Sequence, residues 1–251
     1  MKNFLKAYWK TLLFFGGVGL VGGYFVGIYQ LDSFPEEMRQ EILVQGLTPA
    51  LLGAITALQA AGYGILLGAA GIFLGKRMGL WKDERHITKK PLMITLAVAV
   101  VGGLALILPD LLIFGRYSQP IMDSYAAKPS IPYLVAMVTY GGVIEEVMLR
   151  LFMMSLVAFL LNKVFGRQEK PGTAILATAN VIAALLFAAG HLPVTFILLG
   201  SSPLIIFRCF LLNGGFGLLF GWLYRRYGLR YAMIAHGGCH IVSKLIWICF
   251  I

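Results

Sequence analysis

Long apolar runs restrict this chain more than any motif does. They fall at 11–29, 49–74, 91–114, 131–161, 173–190, 194–207, 210–224 and 231–251. Most approach or exceed the roughly 20 residues that a helix needs to cross a bilayer. Inside hydrocarbon every backbone polar group must be satisfied within the structure, which leaves helices or closed barrels. A barrel would read as short alternating segments, and these runs are continuous. Composition agrees: 59% of the 251 residues are hydrophobic and only 13% are charged. The expected fold is therefore an all-α, polytopic membrane protein. It forms one integral membrane domain over 1–251, with three helices in 1–130 and a second set in 131–248.

Charge is concentrated at the ends of the runs. The net charge is +10, yet the basic residues sit where helices leave the membrane, which reads as topology and lipid contact. A nucleic-acid partner is not expected. Lys76, Arg77, Lys82, Arg85, Lys89 and Lys90 form the strongest positive-inside signal, so their loop and the N-terminus (Lys2, Lys6, Lys10) are expected on the cytoplasmic side. The first run is read as an uncleaved span. His86 belongs to the basic loop and is expected at its surface. Cys209, Cys239 and Cys249 all lie in apolar runs and give no disulfide framework. Gly19, Gly23 and Gly27 recur at i+4, a spacing that lets another helix approach closely, with packing inside the monomer expected. Asp110 is either interfacial or a polar wall of a site.

Helix count depends on 194–224. Taking Arg208 as a boundary near the inner face makes this region cross twice and gives about eight transmembrane helices. That reading puts His191 and His236 at similar depth, at the cost of an outward Arg225, Arg226 and Arg230. A single crossing gives seven helices and a cytoplasmic arginine cluster.

The polar residues within the runs point to chemistry. Glu145, Glu146 and Arg150 interrupt 131–161, where ionisable groups are costly and usually face the protein interior. Glu146 and Arg150 are i,i+4 and can pair, which leaves Glu145 in need of another partner. Phe187 and His191 end the next run, and His236 and His240 share a helix face in the last. A carboxylate beside a histidine can hold water and act as a general base. Imidazole N–H groups can stabilise negative charge developing on a carbonyl oxygen. No Gly-x-Ser-x-Gly motif is present, and Cys239 is turned away from His240. His191, His236, His240 and Glu145 could also make a tetrahedral zinc set, although no His-Glu-x-x-His motif occurs.

The series Glu-Glu-x-x-x-Arg (Glu145, Glu146, Arg150), Phe-x-x-x-His (Phe187, His191) and His-x-x-x-His (His236, His240) resembles the CAAX-protease and bacteriocin-processing family, also called Abi. Its best-known members are type II CAAX prenyl endopeptidases. The likeness spans about 131–248; the first three runs carry no motif. It departs at His240, where the family usually has asparagine, although histidine can still donate a hydrogen bond. The resemblance implies a metal-independent intramembrane glutamate endopeptidase with no cofactor. In it Glu145 and His191 activate water, His236 and His240 bind the oxyanion, and Glu146, Arg150 and Phe187 support the site. Its implied partners are membrane lipid and a membrane-associated peptide, or a prenylated or leader-bearing protein. Composition and the lack of organelle signals point to a prokaryotic cytoplasmic membrane. A non-catalytic immunity or scaffold protein, or a zinc metalloprotease built on the same cluster, are the alternatives. A proton-relaying transporter finds little support, since no inverted repeat of the apolar pattern is evident.

Overall fold

A computed structural model describes residues 2–83, 86–166 and 169–251. Arg85, counted above in the basic loop, lies outside the described residues. The described elements are helical: α1 (Lys2–Ser33), α2 (Glu36–Val44), α3 (Pro49–Arg77), α4 (Lys89–Leu112), the short α5 (Gln119–Asp123), α6 (131–165), α7 (Thr173–Gly190), α8 (Leu192–Leu199), α9 (Pro203–Tyr227) and α10 (Leu229–Phe250). Six helices are long and apolar enough to cross a membrane by length and composition: α1, α3, α4 with its extension to Arg116, α7 together with α8, α9 and α10. α6 is a further long helix, roughly 50 Å at 1.5 Å per residue, and it carries the Glu-Glu motif. The all-α polytopic class is as expected.

The expected eight segments are not what forms; the helices follow the seven-segment alternative. Arg208 is no boundary. It lies inside α9, and its guanidinium grips the Asp110 carboxylate of α4 with both Nε and Nη2. Tyr125 donates to the same carboxylate at 2.9 Å. The chain turns instead at 200–202. Gly200 has φ of 87° there, Ser202 accepts from the Ile205 N–H, and Pro203 occupies the first turn of α9. Asp110 is 1% exposed, and its carboxylate is taken up by Arg208 and Tyr125 rather than by the glutamate site.

One crossing here brings the basic ends together. Lys82 Nζ donates to the Arg226 carbonyl at the end of α9, and Tyr8 of α1 and Lys76 of α3 both bind Asp83. The arginine cluster that the eight-segment reading turned outward thus shares an end of the bundle with the other basic residues. Aromatic residues mark the opposite end. Tyr125, Tyr133 and Trp247 make edge-on ring contacts, Tyr29 joins them through Tyr133, and Lys128 reaches the Ile248 carbonyl to cap α10.

Small residues let the helices that carry the polar groups come close. A Cβ on Gly19 would stand 2.6 Å from the Ala60 carbonyl oxygen, and one on Gly27 would stand 2.6 Å from that of Leu52. Gly23 faces Thr56 and Ala57, and the Thr56 hydroxyl donates to the Gly23 carbonyl at 2.6 Å. The i+4 glycines therefore pack α1 on α3 within the monomer. Gly142 of α6 meets Gly237 of α10 in the same way, with a Cβ position 2.9 Å from the Gly237 Cα.

Gly142→Val should force α6 from α10 and cost about 1–3 kcal/mol through overpacking, read as a fall in thermal stability of the detergent-solubilised protein. Gly17→Ala, which meets nothing within 4 Å, should leave stability unchanged. Arg208→Met alone should cost about 3–5 kcal/mol by stranding the Asp110 charge, and adding Asp110→Asn should recover much of that loss. Equal loss in the single and double variants would refute the pairing role.

Candidate active site

Three helices supply the polar cluster. α6 is unusual at this point: π-helical turns run over Met137–Glu145 and Val147–Met154, on either side of Glu146. Their i→i+5 bonding widens the helix and occurs most often at functional sites. It brings neighbouring residues angularly closer than the roughly 100° of an α-helix. Glu145 and Glu146 can therefore both address α10.

Between them stands His236. Its Nδ1 lies 2.9 Å from Glu146 Oε1, and its Nε2 lies 4.0 Å from Glu145 Oε2. Carboxylate oxygens only accept, so the His236 Nδ1–H is the donor to Glu146. Glu146 is fully buried and also pairs with Arg150, whose Nη1 is 3.2 Å from the same Oε1. The angle is too poor for a hydrogen bond: Glu146 Oε2 and both terminal Arg150 nitrogens have no hydrogen-bond partner among the described residues. Aromatic faces hold the guanidinium instead, with the Phe187 ring 4.5 Å away and the Phe220 ring 5.5 Å away. Arg150 is 2% exposed. The expected Glu146–Arg150 pair is present, and Glu146 has His236 as a second partner that the sequence did not suggest.

Glu145 is the accessible carboxylate of the two, 18% exposed against none for Glu146. Its 4.0 Å separation from His236 Nε2 is too long for a direct hydrogen bond. An oxygen atom seated off the line between them could reach both at about 2.8 Å. Tyr29 and Tyr140 stand within electrostatic reach of the Glu145 carboxylate.

His191 ends α7. Its Nδ1 lies 2.9 Å from the Phe187 carbonyl. A carbonyl only accepts, so Nδ1 carries the proton and Nε2 is the lone-pair nitrogen of the neutral ring. The Phe-x-x-x-His spacing thus selects the tautomer one helical turn back. Phe187 touches both histidine rings edge-on, 4.7 Å from that of His191 and 6.1 Å from that of His236. The histidine in contact with Glu145 among the described residues is therefore His236, 4.0 Å away, with His191 brought to the cluster through Phe187.

His240 lies one turn beyond His236, with ring centroids 5.0 Å apart. Its Nδ1 is buried without a hydrogen-bond partner among the described residues, and its Nε2 would be 3.2 Å from a Cβ on Gly141. The absence of a side chain at Gly141 leaves room beside this imidazole. His240 also borders a cavity of about 150 Å³ walled by Leu134, Val138, Ile241 and Lys244. Phe220 stacks on the His236 ring at 4.6 Å and 25°. Neither Phe220 nor Tyr140 was singled out from the sequence, where an aromatic in an apolar helix carries no distinguishing signal.

Among the described residues, no group of three or more His, Cys, Asp or Glu side chains is arranged to hold a metal ion. The four residues that could have formed a zinc set do not converge on one point. The His236 and His240 rings lie 30° from parallel, and His236 Nδ1 is occupied by Glu146.

Comparison with known proteins adds one finding. No curated protein and no solved structure matches the chain. Residues 127–242 match the family model described as Type II CAAX prenyl endopeptidase Rce1-like. That stretch contains Glu145, Glu146, Arg150, Phe187, His191, His236 and His240, every residue of the cluster just described. Over residues 127–242, a little under half of the chain, the sequence is thus similar to the Rce1-like family of CAAX-type membrane proteases.

Proposed function

We propose that the chain is an intramembrane glutamate-type endopeptidase. It hydrolyses a peptide bond in a membrane-associated peptide, or in a prenylated or leader-bearing protein, without a metal or other cofactor. The observation that carries this reading is the His236 imidazole held between a buried carboxylate, Glu146, and a partly exposed one, Glu145.

Glu145 and His191 activate the attacking water. Glu145 holds it and accepts its proton, and the lone pair of His191 Nε2 provides a second acceptor. The water oxygen attacks the peptide carbonyl carbon. Negative charge then develops on the carbonyl oxygen, and His236 and His240 meet it as N–H donors. His236 can donate from Nε2 only while both ring nitrogens carry protons, because Nδ1–H is committed to Glu146. Glu146 thus positions His236, and Arg150 with Phe187 positions Glu146. Collapse of the tetrahedral intermediate breaks the C–N bond, and the proton held by Glu145 passes to the leaving amine.

The N-terminus and the basic end of the bundle face the cytoplasm in this proposal. Lys6, Lys10, Lys76, Arg77, Arg225 and Arg226 gather at that end, as the positive-inside rule requires. Counted along α10, His236 lies about 10 Å from that end. A prokaryotic cytoplasmic membrane is the proposed setting.

Glu145→Gln should abolish cleavage while the protein stays folded and inserted; comparative peptidomics of cells carrying wild type or this variant reads the substrates directly. Normal processing by the variant would sink the mechanism. His240→Ala should lower kcat by about 10²–10³-fold, the usual cost of one oxyanion donor. His240→Asn, which restores the residue usual in the family, should retain activity near wild type. Purified enzyme should keep its activity in a chelator. Loss that zinc alone restores would replace this mechanism with a metal-assisted one.

A further inference from the structure

A cavity of about 790 Å³ opens at the basic end of the bundle, away from the glutamate cluster. Its walls come from the first turns of α1, residues 81–83 with 86 and 87, and the corner between α9 and α10. The size falls within the roughly 300–1,000 Å³ of small-molecule sites. Its floor is apolar, with Phe14, Phe15, Leu229 and Met233. Its rim carries the cations Lys10, Lys82 and Arg230.

Among the described residues one acid, Asp83, also lines it. Partial burial works against ionisation of Asp83. Hydrogen bonds from Trp81 and Tyr8, together with the Lys76 ammonium, outweigh that effect and hold its carboxyl below the usual range. Its charge is thus matched by Lys76 at 3.5 Å, which leaves Lys10 and Lys82 as cations on the wall among the described residues. Positive-inside topology accounts for basic residues at this end of the bundle. It does not account for a hollow with an apolar floor beneath them. Phe14 lines the hollow and is also 55% exposed on the outer face of α1, next to Leu13 at 59%. The cavity is therefore cationic at headgroup level and continuous with a lipid-facing apolar surface.

We propose that this cavity binds an anionic phospholipid. Lys10 and Lys82 meet the phosphate, and the acyl chains leave past Phe14 along α1. Basic pockets between transmembrane helices on the cytoplasmic side recognise anionic headgroups by this combination of charge and hydrocarbon access. The bound lipid bridges α1 and the start of α10, three residues before His236.

The test uses the full chain purified in a neutral detergent and titrated separately with phosphatidylglycerol, phosphatidylcholine and inorganic phosphate. Thermal stability and native mass spectrometry read binding. Phosphatidylglycerol should raise Tm and remain bound, whereas phosphatidylcholine and inorganic phosphate should do neither. Lys10→Glu and Lys82→Gln should each weaken phosphatidylglycerol binding about five-fold or more. Lys6→Glu, an exposed change on α1 outside the cavity, should not. Lys82→Gln keeps a donor for the Arg226 carbonyl. Should it fail to fold, Lys10→Glu decides alone, since among the described residues the Lys10 ammonium contacts the neighbouring Trp9 ring and carries no ion pair. Equal response to the two lipids would overturn the proposal, as would unchanged binding by Lys10→Glu or equal weakening by Lys6→Glu. A shift reproduced by inorganic phosphate would assign the cavity to a soluble anion and overturn the lipid.

Discussion

The bundle turns on one buried carboxylate. Glu146 has no solvent contact, and the interior does not tolerate such a charge alone. It is held by an imidazole from α10 on one side and a guanidinium from its own helix on the other. Breaking a buried pair of this kind typically costs about 3–5 kcal/mol. α6 and α10 therefore cannot separate, or slide by a turn, without exposing an uncompensated charge. Gly142 on Gly237 makes the close crossing sterically possible, and the ion cluster sets its register. Phe187 and Phe220 complete the arrangement by surrounding a guanidinium that lacks hydrogen-bond partners for its terminal nitrogens among the described residues.

The same cluster gives the two glutamates different work. Glu146 spends its bonding capacity on structure, whereas Glu145 keeps an oxygen facing the gap beside His236. Adjacent residues on a regular α-helix would diverge by about 100°. The π-helical turns on either side reduce that divergence, so local backbone irregularity is part of how the site is built.

Much of this was legible in the sequence. Charges in an apolar run, histidines in two later runs and their spacing identified the residues that the fold assembles. The i,i+4 pairing of Glu146 with Arg150 followed from helix geometry alone. The link from His236 to Glu146 did not, because 90 residues separate them and no local pattern records which carboxylate an imidazole will choose. The helix count failed for a related reason. Arg208 reads as a membrane boundary only if its charge is unmatched, and its match, Asp110, lies 98 residues away. The true break had a local signature in Gly200-Ser201-Ser202-Pro203, a left-handed glycine followed by a serine cap and a proline, which the charge outweighed. The π turns left no sequence signal.

The chain order of these partners bears on how the protein is made. Glu146 and Arg150 leave the ribosome well before His236, so for a time the bilayer or the translocation machinery receives the carboxylate without its imidazole. During that interval Arg150, four residues on, is the one nearby counter-charge that can accompany Glu146 into the membrane. The cluster is completed only when α10 arrives and docks on Gly142. A nascent chain lacking α10 would carry its glutamates with neither His236 nor His240 beside them. Under the mechanism proposed above, synthesis itself then keeps the protein inert until the bundle closes.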